Sequence, residues 1–251
     1  MSNSSITGDA LERPPVPSTP QASWWEDYVD IFYAPSTVFA RRAESGFFVP
    51  MLVITLILGL IGVANSGVMQ PIIDAEFSRA TVLAMKKDPR ITAAMMDQTR
   101  GFSEKFIKMG GFIFPPIGIF FTGLALWVVG KFVDARQTFG AALMVTTYSY
   151  VAKIIEAIAG GVQGLLMDPA SLNGRLRISL GVGRFLDPDT ANPLVLALVG
   201  RMDVFTIWLT VLLAIGLSVT GKIPRQRAAI AAVLLWCLGA LPGLLGAYRQ
   251  M

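Results

Sequence analysis

Five apolar runs, at 47–69, 109–130, 139–167, 204–220 and 228–248, set the pattern of this chain, and four of them carry no charge. A helix rises about 1.5 Å per residue, so about 20 apolar residues cross a hydrocarbon core of roughly 30 Å. Each run therefore predicts a transmembrane helix. The fourth is the shortest, and residues 194–200 extend it if Arg201 and Asp203 sit at an interface or pair with each other. The third would be roughly 43 Å long if wholly helical, which predicts a tilt, a kink or a protruding end. Pro115-Pro116 remove two backbone donors from the second, which predicts a kink or a fresh start of the regular helix there.

The polar stretches between the runs differ in kind. Residues 1–23 hold Pro14, Pro15, Pro17 and Pro20 among Ser and Thr and read as a disordered tail. The first apolar run begins at Phe47 without a short basic leader, so no cleavable signal is expected. In 24–46, Trp24, Trp25, Tyr28, Ile31 and Phe32 recur at helical spacing opposite Glu26, Asp27 and Asp30, and the basic pair Arg41-Arg42 follows. This predicts an amphipathic juxtamembrane segment, either touching lipid or a partner or packed on its own bundle. In the connector 70–108, Asp88-Pro89 offers a helix start, and Ile91, Met95, Phe102 and Phe106 share a face, so the second span is expected to project from the membrane. The stretch 168–192, rich in Gly, Asp and Pro, predicts an irregular loop.

Composition agrees with a membrane protein: 53% of the 251 residues are apolar and 15% are charged, against roughly 25% charged in a soluble domain. The net charge of +4 comes from basic residues scattered between apolar runs, which fits an anionic lipid surface rather than nucleic acid. With one cysteine, Cys237, and no histidine, the chain has no internal disulfide, no Cys/His metal cluster and no histidine-dependent catalysis.

Lys153 and Glu156 are the clear ionisable residues inside an apolar run, three apart on one helix face. Charges there should face the bundle interior and pair, either as an ion, proton or substrate site or as a neutralised structural pair. Asp134 and Asp203 stand at span ends without the glycine-flanked motif of an intramembrane aspartyl protease, and end caps are the simpler reading. Gly130-Lys131 lacks the glycine-rich loop of a nucleotide site. Gly160 and Gly164, and Gly239 and Gly243, allow close helix approach within a bundle or in a homo-oligomer, and Asn65, Ser66, Tyr148 and Tyr150 offer interhelical hydrogen bonds. Cys237 has no activating neighbour in the sequence and reads as an inert apolar side chain.

The layout and several strings resemble the Yip domain family, the five-span Ypt/Rab-interacting membrane proteins, and most its bacterial branch. The strings are Asp30-Ile31-Phe32-Tyr33-Ala34-Pro35 with Phe39 before the first span, Phe139-Gly140 opening the third, and 203–208 leading into 212–217, within a similarity covering about 25–248. The resemblance implies an all-α integral membrane protein, a five-transmembrane-helix bundle (47–248) preceded by the amphipathic segment, with its amino terminus in the cytosol. It also implies action through partners rather than catalysis. Eukaryotic members carry Asp-Leu-Tyr-Gly-Pro here, linked to lipid-modified Rab GTPases; this chain has one extra residue and Ala34 in place of the glycine.

By charge alone, seven basic residues flank spans on the amino-terminal side and twelve on the other, favouring the opposite orientation. The stretch 70–108 also holds five acids, and the family orientation is preferred. The expected function is non-catalytic and cofactor-free: membrane organisation or partner recruitment in a bacterial inner membrane. Its candidate contacts are Trp24, Trp25, Tyr28, Ile31, Phe32, Arg41 and Arg42. The rival is a small permease or channel using Lys153 and Glu156.

Overall fold

A computed structural model describes Ser23 and residues 25–249, and among these the fold is helical, with one isolated bridge between Gly181 and Asp203 as its β feature. The expected tail at 1–22 and Trp24 lie outside the described residues. Two short helices come first, α1 (Asp27–Tyr33) and α2 (Pro35–Arg42). Ala34 leaves the helical region at φ −139°, and Pro35 restarts the helix at its first position, where a missing N–H costs nothing.

Next come α3 (Phe48–Ala64) and α4 (Ser66–Lys87), which meet at 76° across Asn65. The run predicted as one transmembrane helix over 47–69 is therefore cut at Asn65, whose side-chain amide donates to the Ala157 carbonyl at 2.9 Å. The long helix α5 (Ala93–Phe132) starts at Thr92, whose hydroxyl caps the Met95 N–H, rather than at Asp88-Pro89; Asp88 binds the Arg90 guanidinium instead. Its 40 residues amount to about 60 Å, longer than a hydrocarbon core of roughly 30 Å, so the second span is part of a longer helix. It also runs through Pro115 and Pro116 without ending, since packing against neighbouring helices holds a transmembrane helix through such gaps.

The third run forms α6 (Phe139–Ser149) and α7 (Val151–Leu166), which divide at Tyr150. Residues 141–149 of α6 are all buried, which makes α6 the central helix. Its hydroxyls do not call for partners elsewhere: Thr146, Thr147 and Ser149 each donate to the carbonyl four residues back. The chain closes with α8 (Pro193–Val199), α9 (Val204–Gly221), α10 (Arg225–Leu238) and α11 (Leu241–Tyr248). Four segments, Met109–Phe132, Phe139–Leu166, Val204–Gly221 and Arg225–Tyr248, are long and apolar enough to cross a membrane, or five if the bent pair α3–α4 counts as one.

The stretch 168–192 contains three short 3-10 turns and is fastened to α4. Arg79 donates to the Asn173 carbonyl at 2.5 Å and pairs with Asp189 at 3.1 Å, while the Arg175 N–H meets Glu76 at 3.1 Å. Asp134 pairs with Arg227 at 3.2 Å beyond one end of α9, and Asp203 caps the other end through the Phe205 N–H at 2.9 Å. The length of α9, about 27 Å, keeps the two carboxylates from forming a dyad.

Small residues set the closest helix approaches. A methyl group on Gly161 would overlap the Asn65 side chain, and one on Gly164 would overlap Val68. We expect Gly161→Leu to prise α7 from the α3–α4 bend and lower stability in detergent by about 1–3 kcal/mol, read as a fall in the thermal midpoint. An unchanged midpoint would show that the Asn65 contact carries no weight.

Candidate functional site

Two clusters hold the residues that the sequence singles out. The first is the amino-terminal helix pair. It departs from the expected polarity in part: Asp27, expected opposite the apolar face, is fully buried together with Ile31 of that face, whereas Trp25 is 56% and Tyr33 85% exposed. The physical reason is the basic pair. Arg41 reaches Asp27 and also Asp30 at 2.8 Å, and the Arg42 Nε lies 2.5 Å from the other Asp27 oxygen. Two guanidinia offset the cost of taking the Asp27 carboxylate out of water, which lets its side of α1 turn inward.

The same turn buries Ile31 (1% exposed) with Val38 and Phe39, so Ile31, Arg41 and Arg42 serve to hold the segment on the bundle. Tyr28 donates to the Pro50 carbonyl at 3.3 Å and lies 5.5 Å from the Tyr148 ring, and Phe32 lies 5.2 Å from Trp208. Burial raises the Tyr28 phenol above its ordinary pKa, with Tyr148 and Asp27 adding to the effect. Both aromatic partners sit within span helices, so α1 lies along the flank of the bundle rather than beyond its end. What faces outward is a stripe at helical spacing: Trp25, Val29, Phe32 and Tyr33.

The second cluster is the polar interior. Lys153 Nζ and Glu156 Oε2 are 2.5 Å apart on α7, so the predicted pair forms. They line a cavity of about 490 Å³ with Asn65 and Asp203 on one side of α7. Lys153 also lines a second cavity of about 380 Å³, between α5, α9 and α10. Arg201 and Asp203 do not pair with each other. Asp203 belongs to the first cavity, while Arg201 turns into the second, donates to the Trp236 carbonyl at 3.2 Å and lies 5.6 Å from the Trp236 ring.

Tyr150 and Thr122, whose hydroxyls are 3.5 Å apart, line the second cavity too. Sequence reasoning missed this grouping of Arg201, Thr122 and Tyr150; its signal was a lone arginine between the apolar stretches 194–200 and 204–220. Cys237 is exposed, and among the described residues no group of three Asp, Glu or Cys is placed to hold a metal ion.

Two outcomes follow. Asp27→Ala leaves two guanidinia without their shared acid and should release α1–α2, at a cost of about 1–3 kcal/mol because the arginines keep partial solvent contact; faster amide exchange over 25–42 would register it. For the α7 pair, Lys153→Met alone should destabilise more than Lys153→Met with Glu156→Leu, since the single change strands a carboxylate. A double-variant loss equal to the sum of the two single losses would mean the two charges are uncoupled.

Comparison with known proteins places this helical arrangement. The profile of the Yip1 domain matches residues 29–246. No curated protein and no solved structure matches.

Proposed function

The chain belongs to the Yip1 domain family, and on that footing we propose that it is a non-catalytic multi-pass membrane protein that organises membrane or recruits a partner through residues 25–42. One observation carries the reading: a buried, charge-fastened helix pair holds Trp25, Val29, Phe32 and Tyr33 outward on a rigid support. Large aromatic side chains held at low conformational freedom are the usual anchors of lipid and protein contacts. Their fastening by Asp27 means that little ordering entropy is lost when the stripe is covered.

The match spans the α1–α2 segment from Val29 onward together with the membrane helices, and Trp25 precedes it. Lys153 and Glu156, which prompted the permease reading, neutralise each other, and neither is left as a free charge for a transported ion.

A photoreactive side chain at position 25 or 32, followed by mass spectrometry of material captured from the native membrane, tests the proposal. We expect a discrete protein, or lipid adducts concentrated at these two positions relative to an outward position on α5 such as Ile117, which lines neither cavity. Adduct yields at 25 and 32 no higher than at 117, together with an unchanged membrane phenotype after deletion of residues 1–42, would reject it.

A further inference from the structure

The cavity between α5, α9 and α10 is electrically one-sided. Its lining contains Lys153 and Arg201 and no carboxylate among the described residues. Glu156, which offsets Lys153, lies on the other cavity's wall and does not reach this one.

Arg201 has no acid partner among the described residues. Of its five N–H donors, one is given to the Trp236 carbonyl, and Nε is buried without a partner. Burial lowers its pKa from the ordinary value, a direction that records incomplete compensation of the charge. Space is kept for the guanidinium by Gly239, where a Cβ would come within 2.7 Å of Nη2. A cation held in an apolar bundle with spare donors and an adjoining cavity calls for an anion.

The position of the charges indicates which anion. Arg201 stands two residues ahead of the Asp203 cap, at the end of α9, and its guanidinium turns inward to the Trp236 carbonyl. From there the cavity continues along Phe121, Leu209, Leu213 and Leu235 toward Lys153, near the middle of Phe139–Leu166. The wall between the two cations is apolar and reaches the exposed Phe121, so a ligand matching it carries an anionic group on Arg201 and hydrocarbon against that wall. The Thr206 hydroxyl, near the Arg201 end of α9, supplies a further donor for phosphate or glycerol oxygens.

We propose that this cavity is a binding site for an anionic phospholipid, with the headgroup phosphate on Arg201 and an acyl chain along the α5–α9 wall. The site is separate from the outward stripe of α1 and does not depend on how that stripe is used. Free phosphate shares the headgroup chemistry but leaves the apolar wall uncovered, which sets the comparison to make.

The test uses the purified full-length protein in neutral detergent, with phosphatidylglycerol, phosphatidylcholine of the same chains, or inorganic phosphate added separately. Lipid retention is read by native mass spectrometry, and stabilisation by the thermal midpoint. We expect phosphatidylglycerol to be retained over phosphatidylcholine and to raise the midpoint, and Arg201→Met to weaken that retention about tenfold. Arg201→Lys should restore part of it, and Arg225→Met, which removes an exposed charge, should change nothing.

Should Arg201→Met fail to fold, Ala232→Leu fills the cavity while leaving the guanidinium in place, and it should expel the lipid likewise. Wild-type retention in a folded Arg201→Met or Ala232→Leu protein would overturn the proposal, as would equal retention of the two lipids. A midpoint rise from inorganic phosphate as large as that from phosphatidylglycerol would overturn the lipid assignment.

Discussion

A backbone polar group that leaves the helical ladder inside a membrane must find a partner, because hydrocarbon offers none. Three pairs of apolar helices in this chain are broken, at Asn65, at Tyr150 and at Gly239–Ala240. Each break has a local answer. The Asn65 N–H keeps the Ile61 carbonyl while its side-chain amide binds the Ala157 carbonyl, the Tyr150 N–H is shared between the Thr146 and Thr147 carbonyls, and Arg201 covers the Trp236 carbonyl at the end of α10. The polar interior is a consequence: Asn65 lines one cavity, Tyr150 and Arg201 the other, and Lys153 both.

The amino-terminal segment obeys the same rule with charges. Removing Asp27 from water is costly, and two guanidinia offset that cost without making the arrangement strongly stabilising. What the ion cluster supplies is definition. It fixes which face of α1 is inward, and so which aromatic residues remain on the surface. Membership of the Yip1 domain family and this fixed outward stripe are the two grounds on which a contact function rests.

The interior charges are distributed rather than gathered. Lys153 and Glu156 satisfy each other, Asp134 and Asp203 occupy opposite ends of α9, and Arg201 has no acid partner among the described residues. Such a layout suits binding at a fixed place: Lys153 and Glu156 hold each other, which leaves Arg201 as the cation of its cavity with no acid beside it among the described residues. The lipid site proposed for Arg201 and the contact surface of α1 are two uses of the same bundle.

Hydropathy by itself determined that the chain is a helical membrane protein and where its apolar runs lie, because transfer of some 20 apolar residues into lipid is a local property of the sequence. The three-residue spacing of Lys153 and Glu156 likewise decided their pairing, as helix geometry places such side chains together. The tertiary structure alone decided the break at Asn65, the inward turn of Asp27 and the separation of Arg201 from Asp203. Those depend on partners 92, 14 and 35 residues away, Ala157, Arg41 and Trp236, which no periodicity along the chain encodes.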